Sequence, residues 1–157
     1  GISQGSQPLL SDYYGKNDDK SVQKILRLSI ITGIAAAVLI ILVTNLIPDV
    51  IVAVFNNENN AEMASYAVFG VQLYFTGFLF AGFNIIGTGF LSATESAAWA
   101  FITSVLRGFV AISLCALLLS ALVGMTGVWL AFPVAEFITA VLMVIAIAQN
   151  VQKMRTK

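Results

Sequence analysis

The chain has 157 residues, 59% hydrophobic and 10% charged, and its eight basic and eight acidic side chains cancel to a formal net charge of zero. A soluble domain carries roughly a quarter charged residues, so this composition excludes a water-soluble fold, and without a basic excess it gives no footprint for nucleic acid. Histidine is absent, which removes Ser–His nucleophilic catalysis and the commonest metal ligand.

Charge spacing sets the organisation. Leu28–Pro48 runs uncharged for 21 residues, Met63–Thr94 for 32, Gly108–Ala135 for 28 and Phe137–Gln152 for 16. A helix needs about 20 mostly apolar residues to cross a hydrocarbon core of about 30 Å. Mean hydropathy is +0.91. The expected fold is therefore an all-α membrane protein, a polytopic helical bundle in a lipid bilayer. It has four complete transmembrane helices and a partial N-terminal one, over about 1–14 (partial), 21–55, 62–92, 97–121 and 126–152.

The first segment, Gly1–Ser11, is uncharged for only 11 residues. That is too short to span, so the chain is expected to begin inside a helix and to be a piece of a longer protein. Gly15–Asp19 carries turn residues, and Ser21 is the expected cap of the next helix. That helix is almost uniformly aliphatic, and Pro48 is expected to break or kink it because proline has no amide donor. After the polar Asn56–Asn60 connection, the span over 62–92 differs in kind. It combines Gly70, Gly77, Gly82, Gly87 and Gly89 with Gln72, Tyr74, Thr76, Asn84 and Thr88. Small residues allow close helix approach in lipid, and polar ones face protein or a wet cavity, so this helix belongs inside the bundle. Ala93–Ala98 is a short turn, the next span runs to about Ala121, and an outer turn holds Gly124 and Gly127. The last span contains Pro133 and Glu136. Cys115, the single cysteine, lies in an apolar run and reads as a buried inert thiol.

The basic residues fall at Lys16, Lys20, Lys24 and Arg27, at Arg107, and at Lys153, Arg155 and Lys157. Lys and Arg mark cytoplasmic loops, so the first cluster and the C-terminus are expected inside, with Asn56–Asn60 and Gly124 outside. The plainest reading of the Lys16–Arg27 cluster is a topology signal.

Three segments, in this order, resemble the MATE (multidrug and toxic compound extrusion) family of secondary transporters. They are Gly1-Ile-Ser-Gln-Gly-Ser-Gln-Pro-Leu-Leu through Tyr14-Gly15-Lys16; Leu73-Tyr-Phe through Gly87-Thr-Gly-Phe with Ser104-Val-Leu-Arg107; and Gly127-Val-Trp-Leu-Ala-Phe-Pro-Val-Ala-Glu136. The resemblance implies twelve helices in two six-helix lobes, exporting organic cations against a Na⁺ or H⁺ gradient from the bacterial inner membrane. This chain would be most of the C-terminal lobe, with the N-terminal lobe as its partner. One branch of the family carries an acidic cation ligand in the middle of the tenth helix, and Met63–Thr94 has no carboxylate. The resemblance therefore implies that the coupling ion binds in the N-terminal lobe, with no cofactor here. Related flippases of lipid-linked precursors share the architecture and are the alternative, as is a non-transporting assembly subunit. An intramembrane enzyme is not expected, because no hydrolytic constellation can be assembled without histidine and with one deep carboxylate.

The candidate cavity residues are Gln4, Gln7, Gln72, Tyr74, Asn84, Arg107 and Glu136. For each glutamine, interhelical hydrogen bonding competes with a cavity role. Glu136, nine residues past Gly127, lies roughly 14 Å below the outer boundary, where an ionisable group is a functional hypothesis by default; a neutral carboxyl steadying a bend at Pro133 is the plain reading. If the turn before Arg107 centres near Glu95, Arg107 and Asn84 lie at similar depth. They either pair in the cavity or Arg107 snorkels to the inner headgroups. A turn centred near Met125 levels Glu136 with Leu114, about 10 Å from Arg107, which disfavours a direct Arg107–Glu136 ion pair.

The topology predicts that single cysteines at Asn57 and Lys153, in a Cys115→Ala background, behave oppositely. An impermeant thiol reagent on intact cells should label position 57 and spare 153; the reverse pattern would invert the assignment.

Overall fold

The computed structural model describes residues 1–55 and 61–156, so the Asn56–Asn60 connection read above as an outer loop lies outside the described residues. Among those residues the structure is helical apart from short turns. The helices are α1 (Ile2–Gly15), α2 (Asp19–Leu46), α3 (Pro48–Phe55), α4 (Ala61–Phe75), α5 (Phe78–Ala93), α6 (Ala97–Val105), α7 (Ile112–Val123) and α8 (Met125–Arg155), with a π-helical stretch, Leu106–Ala111, joining α6 to α7. Four helical runs are long and apolar enough to cross a membrane: Asp19–Leu46, Ala61–Ala93, Ala97–Val123 and Met125–Arg155.

Local chemistry explains the joints. The helix after the first turn is capped by Asp18, not by Ser21. The Asp18 carboxylate accepts the Ser21 hydroxyl at 2.6 Å and the Ser21 amide at 3.1 Å, which satisfies an orphan donor of the first turn. The Ser21 hydroxyl, followed by its amide, holds the Asp18 carboxyl below the usual carboxylate range. Asn17 in the same turn has φ 56°, a conformation that asparagine tolerates through local hydrogen bonding. Pro48 opens α3 at a break in the chain after Leu46. The 62–92 run is interrupted at Thr76-Gly77, where the Thr76 hydroxyl turns back on the Leu73 carbonyl at 2.6 Å. The α7–α8 turn is tighter than the sequence suggests. Gly124 alone makes it, with φ 61°, and Gly127 is already inside α8. By contrast α8 runs as one continuous helix through Pro133.

α5 is the central element, packed by α1, α2, α6 and α8, while α7 lies along α8 and α4 bridges α2, α3 and α8. Its glycines make that crowding possible. A Cβ on Gly87 would overlap Met143 of α8, and one on Gly89 would overlap the Ser3 hydroxyl of α1. Leu10, Val22, Ile86, Phe90, Leu91 and Met143 form the main core where α1, α2, α5 and α8 meet. The outside is the reverse of a soluble protein. Leu39, Leu46, Leu117 and Leu122 are exposed, whereas Asn84, Thr103, Thr139 and Glu136 are buried. Thr103 and Thr139 return their hydroxyls to carbonyls four residues earlier, so little polar surface meets lipid.

The tightest helix approach is at Gly127, where a Cβ would overlap the Leu119 backbone carbonyl. Backbone cannot yield as a side chain can, so Gly127→Ala in the full-length protein should destabilise by ~1–3 kcal/mol. Gly82→Ala serves as the comparison, because its nearest neighbour, the Gly33 carbonyl oxygen, is 3.6 Å away. Thermal midpoints in detergent should fall for the first and hold for the second; equal midpoints would contradict this packing.

Candidate functional site

Among the described residues the buried acidic group is the Glu136 carboxylate on α8, whose side chain is 4% exposed. Leaving a bare carboxylate out of water costs several kcal/mol, and two other spans supply the compensation. Arg107, in the π-helical stretch, donates from Nε to Glu136 Oε1 at 2.7 Å. Asn84, fully buried on α5, donates from Nδ2 to Glu136 Oε2 at 2.7 Å and to the Glu136 carbonyl at 2.9 Å. Both acceptors lie on the same amide nitrogen, which fixes the orientation of the Asn84 amide, because the reverse would set its oxygen against the carboxylate. Asn84 Oδ1 has no protein partner among the described residues. The Asn84 carbonyl in turn accepts the Thr88 hydroxyl at 2.9 Å.

The Arg107–Glu136 ion pair corrects the expectation from helix counting. The turn centres on Gly124, not Met125, so Glu136 levels with Ile112, five residues or about 7 Å from Arg107. The π-helical stretch places more residues in each turn, which shortens that distance, and the long arginine stem covers the remainder. Arg107 and Asn84 do converge, but through Glu136: each takes a different oxygen of one carboxylate. A π-helical turn is frequent at functional sites, and here it carries both Arg107 and Gly108.

Two clefts adjoin this centre. The larger, of about 350 Å³, lies between the start of α1, the α2 residues Gly33, Ala37 and Ile40, and Phe78, Gly82 and Ile85 of α5, with Arg107 and Phe132. The smaller, of about 250 Å³, contains Arg107, Gly108, Ile112, Phe132, Ala135 and Glu136. Arg107 and Phe132 belong to both, so the charged centre faces apolar space on either side. Phe132 stacks on Tyr74 with ring centroids 4.4 Å apart, and Phe78 stands 5.9 Å from it. The ring plane of Tyr74 is thereby fixed against α8.

Asn84, Arg107 and Glu136 are therefore brought together, and Tyr74 is joined to the same region through Phe132. Gln4, Gln7 and Gln72 are placed elsewhere. Gln4 is exposed near the start of α1. Gln7 is half-buried beside Gly89. Gln72 is half-buried on α4; none of the three lines either cleft. Sequence reasoning passed over Phe132, although it lies four residues before Glu136 and thus on the same helix face. It also passed over Ser3, whose hydroxyl donates to the Ile85 carbonyl at 3.1 Å and ties α1 to α5. Nothing in a single sequence marks Ser3, because its role is set by the α1–α5 crossing. Among the described residues no three Cys, Asp or Glu side chains converge as a metal site would require.

The family model described as MatE matches residues 1–117, from α1 through the first half of α7. The chain belongs to the MatE family. Asn84 and Arg107 lie within the matched part of this MatE chain and Glu136 beyond it, so the ion pair joins the matched region to the last helix. No curated protein and no solved structure was found to match the chain. Membership makes the chain a transporter-type membrane protein, and four long apolar helices agree.

The buried pair predicts a specific stability pattern. Glu136→Gln strands the Arg107 guanidinium, and Arg107→Gln strands the carboxylate. Arg107→Gln should cost about 3–5 kcal/mol, because it leaves the buried carboxylate uncompensated, and Glu136→Gln should cost less, because the Arg107 side chain is 31% exposed. The Arg107→Gln/Glu136→Gln double variant should recover much of that loss, since the two sites are in contact and do not add. Unfolding of the purified full-length protein checks this, and strictly additive losses would refute a coupled pair.

Proposed function

We propose that this chain is part of the C-terminal lobe of a cation-coupled multidrug antiporter, driven by Na⁺ or H⁺, that exports organic cations by alternating access between two lobes. The observation that carries the reading is the Glu136 carboxylate, held ready by Asn84 and Arg107 beside clefts with aromatic walls. An apolar cation entering such a cleft gains the ring faces of Phe132 and Phe78 and can displace Arg107 from one carboxylate oxygen while Asn84 keeps the other. The N-terminal lobe is the partner, and it carries the coupling ion. The setting is the bacterial inner membrane with the C-terminus in the cytoplasm, in keeping with the basic tail.

The flippase alternative asks for free basic groups to hold a phosphate. Arg107 is the one basic residue in the described clefts at this depth, and it is already neutralised by Glu136, which favours the antiporter. An assembly subunit would have no use for a charged centre opening on two clefts.

Separating a transport role from a structural one requires variants that keep the charge balanced. In the full-length protein, Arg107→Gln/Glu136→Gln should accumulate near the wild-type level yet lose at least about tenfold of its organic-cation efflux, the equivalent of ~1.4 kcal/mol. Ethidium efflux from energised cells, normalised to protein in the membrane, is the measurement. Wild-type efflux by the double variant would leave the pair as structural and sink the cation-binding role.

A further inference from the structure

A separate cleft of about 530 Å³ opens between α2 and α8, lined by Gln23, Lys24, Leu26, Arg27, Ile30, Ile31 and Val151. Its chemistry is split by depth. Lys24 and Arg27 are exposed at the end where the 21-residue apolar run of α2 begins, while Leu26 is buried and Ile30 and Val151 are half-buried further in. The ion pairs among the described residues are Lys16–Asp12 and Arg107–Glu136, so no described carboxylate pairs with Lys24 or Arg27, and no described acidic residue lines the cleft. Lys20, Lys24 and Arg27 follow a spacing of four and three, which sets them on one face of α2.

We propose that this cleft binds an anionic phospholipid of the surrounding leaflet. The headgroup phosphate bridges Lys24 and Arg27, with the Gln23 amide as a further donor, and an acyl chain lies over Leu26, Ile30 and Val151. A soluble phosphate would use only the mouth of the cleft and leave its apolar floor uncovered, whereas a lipid covers both. Basic residues beside a membrane each add appreciably to anionic-lipid attraction, and basic pockets between transmembrane helices are where anionic headgroups bind. The lipid would span α2 and α8 at the headgroup level, away from Glu136, so the site is independent of the transport reading.

The full-length protein in nanodiscs tests it, with spin-labelled phosphatidylglycerol or phosphatidylcholine at trace level in a phosphatidylcholine bilayer. The wild type should immobilise the anionic probe preferentially. Lys24→Gln/Arg27→Gln should lower that preference by roughly tenfold, while Lys153→Gln leaves it unchanged. Lys16, Lys20 and the basic tail remain in the double variant to hold the topology. Val151→Phe fills the floor without altering charge and should also reduce the immobilised anionic fraction. Inorganic phosphate at millimolar concentration should not compete. Equal immobilisation of the two probes by the wild type, an unchanged preference in Lys24→Gln/Arg27→Gln, or full competition by inorganic phosphate would each overturn the assignment.

Discussion

A carboxylate excluded from water must be compensated by fixed charge and hydrogen bonds, and in this bundle that requirement falls on Glu136. Its two oxygens are taken by Arg107 and Asn84, which come from two other spans. Those bonds tie α5, the α6–α7 span and α8 into one unit around the only deep charges among the described residues. Gly77, just before α5, and Gly87 within it follow from the same constraint. For the Asn84 amide to reach the carboxylate and the carbonyl of one residue on α8, the two helices must approach closely, and Gly77 and Gly87 leave room for Phe132 and Met143 on either side of it.

The rest of the fold is organised by polarity in the opposite sense to a soluble protein. Lipid solvates the outer aliphatic faces of α2 and α7, so burying them offers no hydrophobic gain. Close packing and interhelical hydrogen bonds hold the helices together instead. This accounts for the small side chains at the crossings and for threonines that satisfy themselves against their own helix. It also accounts for the placement of charge. Arginine and glutamate at this depth are tolerated as a neutral pair, and Lys24 and Arg27 stand at the membrane surface, where water and headgroups solvate them.

Much of the architecture was legible because the signal is long. Uncharged runs of 16 to 32 residues specify spans almost irrespective of detail, and the polar, glycine-rich run was readable as an inner helix because lipid would not accept Asn84. The site was legible residue by residue but not as a constellation. Asn84, Arg107 and Glu136 each stand out as polar at depth, yet their convergence depends on one residue of turn length at Gly124 and on a π-helical stretch, neither of which leaves a strong mark in a sequence. Small errors in helix register translate into several ångströms at the middle of the membrane, enough to separate a pair that is in contact. The glutamines carry less information. Gln4, Gln7 and Gln72 are polar in apolar surroundings, but an amide has many ways to be satisfied and its presence alone does not fix the face it occupies.

The hairpin formed by the α6–α7 span and α8 has a bearing on how the protein enters its membrane. Arg107 and Glu136 are 29 residues apart and lie on consecutive antiparallel spans joined by one glycine, whereas Asn84 is 52 residues from Glu136. Loop closure across so short a connection is entropically cheap, so the two charges meet as soon as the hairpin closes, before the longer-range partner is needed. A hairpin closed in this way presents the bilayer with no net charge at its centre. The order of the helices along the chain thus allows the costliest residues of the fold to be neutralised locally, and leaves to α5 the later task of fixing their orientation.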